Sequence, residues 1–170
     1  GTKLYLLVGG RGTRLSSVTN GKAKPLVNIN NKNFIDHVLE NLSGFDITLV
    51  CSDLNYNQFV EYMMYGVSVI NEGSPSGTGG FLSKVDLPES FYVMNGDTFY
   101  SGELNLDCDE STIFVAEEDV TSDVGYIHGE NGKVKYFVEK NPNASGKKLV
   151  SLGIYKLFKK DLDIPNKLPI

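Results

Sequence analysis

The stretch Leu4-Tyr5-Leu6-Leu7-Val8-Gly9-Gly10-Arg11-Gly12-Thr13-Arg14-Leu15 is an unbroken apolar run that ends in a glycine-rich turn carrying two arginines. Such a run suits a strand buried on both faces, as strands of a parallel sheet are. Glycines let a backbone approach a ligand closely and expose N–H groups that can cradle phosphate oxygens. Arg14, and Lys24 before Pro25, add positive charge where a polyphosphate would lie. Taken alone, the glycines read equally as a tight strand-to-helix turn. Two better-known phosphate loops are excluded. Gly21-Lys22 is followed by Ala23, with no glycine five residues before Gly21, so there is no Walker loop; Leu15 stands where a dinucleotide fingerprint needs its third glycine.

Working outward, Phe34, Ile35, Val38, Leu39 and Leu42 recur at helical spacing between a candidate cap, Asn33, and a stop, Gly44. Ile47–Cys51 reads as a second buried strand, Asn57–Tyr65 as a helix closed by Gly66, and Val67–Ile70 as a third strand. Tyr56, Phe59, Tyr62, Met63, Met64 and Tyr65 read as core, with an interface as the alternative. A short helix is expected after Gly77–Gly80, then a fourth strand, Phe91–Met94, ending at Asn95-Gly96-Asp97. Strand–helix–strand repetition means parallel strands with right-handed crossovers. The second half reads as strands only: Thr112–Ala116, Gly125–His128, Val134–Glu139 and Leu149–Leu157, with a hairpin turn at Gly129-Glu130-Asn131-Gly132. The expectation is an α/β fold on a mixed sheet, parallel first and antiparallel later. Ligands of open α/β sheets bind at the carboxyl ends of strands, where Gly9–Gly12, Glu72 and Asp97 all fall.

The chain's 170 residues suit one domain spanning 1–170, and a 41% hydrophobic content supplies a core. The formal net charge of −5 argues against a general polyanion binder, so no nucleic-acid partner is expected. No run approaches the roughly 18 apolar residues of a membrane span. Cys51 and Cys108 are far apart with no metal-ligand spacing, so a reducing cytoplasm is the expected setting and Cys51 a small core residue.

The pattern Gly9-Gly10-Arg11-Gly12-Thr13-Arg14-Leu15, followed by Lys24-Pro25, resembles the N-terminal signature of the sugar-phosphate nucleotidyltransferases. The likeness continues through Glu72-Gly73-Ser74-Pro75-Ser76-Gly77-Thr78-Gly79-Gly80, Asn95-Gly96-Asp97, Phe137-Val138-Glu139-Lys140 and Gly153-Ile154-Tyr155. It most resembles the guanylyltransferases acting on mannose 1-phosphate or heptose 1-phosphate, and the fold it implies is a Rossmann-like, mostly parallel sheet flanked by helices. In that family a sugar 1-phosphate oxygen attacks the α-phosphorus of a nucleoside triphosphate and pyrophosphate leaves.

The resemblance implies residue roles. Arg14 meets the leaving β- and γ-phosphates and Lys24 the α-phosphate; Leu7, Gly9, Gly10, Gly12 and Thr13 border the triphosphate. Asp97 binds Mg²⁺. Glu72 faces the base, and an acceptor-only carboxylate suits the adjacent N1–H and amino donors of guanine, with cytosine as the weaker fit. Gly77 and Thr78 add backbone contacts to the base. Lys140 binds the sugar's phosphate and Glu139 a sugar hydroxyl, with Gly125 and Gly153 bordering the sugar. The family's second metal-binding aspartate belongs to a segment past Ile170, and its usual asparagine before the glycine of Gly153-Ile154-Tyr155 is replaced in Ser151-Leu152. A cytidylyltransferase on another phosphorylated acceptor, or a non-catalytic regulatory protein that binds nucleotide or sugar phosphate, remain the alternatives. A homo-oligomer is compatible with either.

Overall fold

Leu4, Tyr5 and Leu6 are buried in β1 (Thr2–Leu7) because the strand is covered on both faces. Its period-2 alternation sends Leu4 and Leu6 to one core, with Ile35, Val38 and Leu42, and Tyr5 to the other, with Phe81 and Phe91. The computed structural model describes residues 2–9, 28–29, 32–74, 79–96, 109–119, 125–138 and 145–163.

The element order begins β1, a two-residue ladder of β2 (Asn28–Ile29) with β3 (Lys32–Asn33), then α1 (Phe34–Asn41) and β4 (Phe45–Cys51). It continues with α2 (Tyr56–Phe59), β5 (Ser68–Asn71), a 3-10 turn at Gly80–Ser83 and β6 (Ser90–Asn95). The remaining strands are β7 (Thr112–Asp119), β8 (Tyr126–Glu130), β9 (Lys133–Val138) and β10 (Lys147–Phe158). One eight-stranded sheet runs β5-β4-β1-β6-β10-β8-β9, with β7 paired to β10. Its core is parallel, β5 on β4, β4 on β1 and β1 on β6. β10 is antiparallel to β6, β7 and β8. The α/β class and the parallel-then-antiparallel order expected from the sequence hold.

Two expectations need correction. The helix expected over Asn57–Tyr65 is α-helical only in α2; Val60–Tyr65 is a 3-10 turn capped by Gly66 at φ +81°. Residues three apart share a face of a 3-10 helix. Phe59, Tyr62 and Tyr65 accordingly form a chain of rings, each centroid 6.2 Å from the next, and the Tyr62 hydroxyl donates to Asp36 of α1 at 3.1 Å. Met63, Met64 and Tyr65, all three read as core from the sequence, are instead exposed to solvent. The hairpin behaves as expected: Asn131 (φ +55°) and Gly132 (φ +75°) make the two-residue turn that matches strand twist.

β10 is long because it serves two neighbours in succession. Its Ile154–Phe158 half pairs with β6, whereas Leu149 pairs with Ile127 of β8. The two halves are separated by a bulge at Leu152-Gly153, where Ser151 pairs with Val115 but Ile154 with Phe114. Gly153 takes φ +76° there, which a side chain would resist. The Lys147–Leu152 half therefore continues past the carboxyl end of β6, carrying β7 and the β8–β9 hairpin with it.

Candidate functional site

The strand order reverses between β1 and β6: the chain goes from β1 to β4 and β5 on one side, then returns to place β6 on the other. Loops leaving the carboxyl ends on either side of such a point diverge and leave a crevice. Four strand ends meet there, those of β5, β4, β1 and β6.

The end of β1 is fixed with unusual completeness. Val8 N–H donates to Val50 O at 2.9 Å, the last step of the β1–β4 ladder. Past it, side chains take over: Asn55 Nδ2 donates to Val8 O at 2.5 Å and Ser52 Oγ to Gly9 O at 2.9 Å, all buried. Asn55 Oδ1 in turn accepts from Ser52 N at 3.1 Å, closing the β4–α2 loop on itself. Gly9 has to be glycine, since a Cβ would lie 2.9 Å from Ser52 N and 3.0 Å from the Cys51 carbonyl carbon. Gly96 is packed likewise. Its N–H donates to Leu7 O at 2.7 Å, and a Cβ would collide with that oxygen and sit 2.9 Å from Val8 Cγ1.

Glu72 leaves β5 with its N–H on Cys51 O at 2.8 Å, while its own carbonyl accepts from Lys84 Nζ at 2.6 Å. Burial first, and the Glu72 charge second, push the Cys51 thiol up to about 12. The backbone bond to Cys51 holds Glu72 at the sheet edge. The turn behind it is braced by Asp53 N–H donating to Gly73 O and by Asn71, which donates to Asp53 Oδ1 and accepts from Gly73 N.

Of the residues singled out in the sequence, Leu7, Gly9 and Glu72 thus lie along one edge, beside Gly96. Gly125, exposed, precedes β8, and Gly153, buried, sits in the β10 bulge with its N–H on Ser151 Oγ at 3.1 Å. Both belong to the antiparallel wing that continues past that edge. Gly10, Gly12, Thr13, Arg14, Lys24, Gly77, Thr78, Asp97, Glu139 and Lys140 lie outside the described residues. Among the described residues no group of three or more His, Cys, Asp or Glu side chains could hold a metal ion, and no helix is long and apolar enough to cross a membrane.

Sequence reasoning missed Ser52, Asn55 and Lys84. A polar run, Ser52-Asp53-Leu54-Asn55, directly after a buried strand does signal side chains that bond backbone. Its targets, 43 and 47 residues away in sequence, were not visible.

The pattern of the family described as Nucleotidyl transferase matches residues 3–166. The mannose-1-phosphate guanylyltransferase catalytic subunit beta of Drosophila melanogaster is 33% identical over 91% of this chain and 48% of its own length. The D-glycero-alpha-D-manno-heptose 1-phosphate guanylyltransferase of Campylobacter jejuni is 32% identical over 91% of this chain and 75% of its own. The chain spans about half the length of the mannose-1-phosphate guanylyltransferase relatives it matches. Among solved structures, HddC from Yersinia pseudotuberculosis complexed with GMP-PN superposes with a TM-score of 0.75 at 28% identity, covering 98% of this chain and 81% of that one. With Gly9 of its signature at the switch point of a mixed sheet and the family pattern running through nearly its whole length, the chain belongs to the nucleotidyl transferase family.

Proposed function

We propose that this chain joins a nucleoside triphosphate, GTP by preference, to a sugar 1-phosphate of the mannose or heptose type, releasing pyrophosphate and an NDP-sugar. The observation that carries the reading is the convergence of Gly9, Glu72 and Gly96 on one strand-end crevice in a chain whose relatives are named guanylyltransferases of such sugars.

The nucleophile, a phosphate oxygen, is already anionic at neutral pH, so no general base is required. Rate comes from positioning and from neutralising charge on the transferring phosphoryl group. Gly10, Gly12 and Thr13 hold the triphosphate, Arg14 neutralises the leaving pyrophosphate, and Lys24 stabilises the charge that builds at the α-phosphorus. Glu72 accepts from the two adjacent donors of guanine, and Gly77 and Thr78 flank the base. Lys140 and Glu139 hold the sugar's phosphate and a hydroxyl, with Gly125 and Gly153 at the border. Within residues 1–170 these groups belong to one nucleotidyltransferase domain, and its setting is the cytoplasm.

A divalent cation, Mg²⁺, fits this donor set: the sheet fixes Gly96 at the end of β1, and the next residue, Asp97, offers a hard oxygen ligand. Mg²⁺ keeps waters and takes substrate phosphates, so few protein carboxylates are needed. Asp97 holds it, and the bound ion supplies neutralisation of the triphosphate.

The test is pyrophosphate release with Mg²⁺, each nucleoside triphosphate in turn and a panel of sugar 1-phosphates. Release with GTP and one sugar, abolished in Asp97→Ala, is the expected result. Release with CTP alone overturns the base assignment to Glu72, and nucleotide binding without release across the panel overturns the reaction.

A further inference from the structure

We infer that Ser52 and Asn55 are positioning residues that set the direction in which the glycine loop leaves β1, and so aim its amides at the triphosphate. The inference rests on the nucleotidyl-transfer reading above. In a regular strand, successive residues turn their N–H and C=O alternately to the two neighbouring strands. Val8 obeys this, its N–H on Val50 O and its carbonyl on Asn55, both on the β4 side. A planar trans peptide carries its N–H opposite its C=O, so the Gly9 N–H is turned away from β4, toward the crevice with β6. Regular alternation would then send the Gly9 carbonyl toward β6 as well. It goes instead to Ser52 Oγ, back on the β4 side. Gly9 is therefore the residue at which the strand is broken, and Ser52 is the group that breaks it.

The arrangement is built, not incidental. Ser52 is 0% and Asn55 4% exposed, and a buried carbonyl left without a donor is costly, so the Ser52 hydroxyl is held on Gly9 O and the Asn55 amide on Val8 O. The missing Cβ of Gly9 allows Ser52 N to come close enough for the hydroxyl to reach. Asn55 is locked by accepting from Ser52 N, so the two side chains act as one clamp. The clamp touches backbone only, which makes it indifferent to base and sugar and specific to the phosphate part of the ligand.

Calorimetric titration of the chain with GTP and with GMP, in Mg²⁺, separates this role from simple stabilisation. The clamp predicts that Ser52→Ala and Asn55→Ala each weaken GTP about tenfold while GMP shifts by less than about twofold, because only the phosphate contacts are mis-aimed. Ser111→Ala, which removes a hydroxyl bonded to Asp161 and Phe158 N far from the crevice, leaves both affinities unchanged. Equal weakening of GTP and GMP in Ser52→Ala, or no change in either, overturns the clamp. Ser52→Ala decides alone if Asn55→Ala does not fold, since Asn55 then still holds Val8. A wild-type chain that binds neither nucleotide overturns the transfer reading itself. A wild-type preference for GTP that persists in both variants overturns only the positioning.

Discussion

The parallel half, β5-β4-β1-β6, and the antiparallel wing of β7–β9 on β10 are made of the same kind of strand but stabilised differently. β4 and β6 are buried along nearly their whole lengths, and β1 through its middle, while β9 is exposed over five of its six residues and β8 over its last three. Val134, Tyr136 and Phe137 of β9 remain 39–52% exposed. The wing relies on backbone ladders, on the stacking of His128 with Tyr136 at 4.6 Å, and on exposed ion pairs such as Lys135 with Glu130. The lesson is a division of labour. On the proposed function, the loops assigned to the polyphosphate spring from the buried half, whereas Gly125 and Gly153, assigned to the sugar, belong to the more exposed wing.

Core truncation breaks this comparison most severely. Phe91→Ala, which empties a fully buried site beside Tyr5, should cost about 3–5 kcal/mol in chemical denaturation. Phe137→Ala in the wing should cost under about 1 kcal/mol. Comparable losses would mean that the two halves are equally load-sharing. Next in size is Gly96→Ala. Its methyl has no room beside Leu7 and Val8, so about 2–3 kcal/mol should be lost, with the transition broadened or nucleotide binding gone.

Gly153→Ala sharpens the comparison from the other side. The bulge demands φ +76°, so a loss of about 1 kcal/mol is expected from backbone strain alone, with GTP affinity unchanged and sugar 1-phosphate affinity reduced. The last effect is confined to alkaline pH. Cys51 has a folded thiol pKa near 12 against 9.0, so its contribution is complete below pH 9 and disappears as pH rises from 9 to 12. Tyr5, raised by burial and then by Asp46, acts in the same direction. The unfolding midpoint should therefore fall across that window, and less steeply in Cys51→Ala. An identical slope in the variant would remove the thiol from the account.

Much of the parallel half was legible because its strands are apolar runs stopped by glycine or Asn-Gly, and because α1 repeats Ile35, Val38 and Leu42 at helical spacing. The 3-10 turn at Val60–Tyr65 was not, since six residues make no more than about two turns, too few for a pattern to tell a period of 3.0 from 3.6. β2 and β3 are two residues each, too short to carry a pattern. A glycine inside a strand signals a bulge, so Gly153 has a structural reason to be glycine alongside the ligand role its motif suggested. The site divides the same way. Its motif residues were readable as sequence, but Ser52 and Asn55 matter through partners that only folding brings near.

Hydrogen exchange measured with GTP and, separately, with a sugar 1-phosphate tests the division of labour most directly. GTP with Mg²⁺ should protect the strand-end segments carrying Gly9, Ser52, Glu72 and Gly96 and leave 126–138 unchanged; the sugar 1-phosphate should protect the segments around Gly125 and Gly153. Protection by GTP confined to the antiparallel wing, or absent from the ends of β1 and β6, would contradict the account.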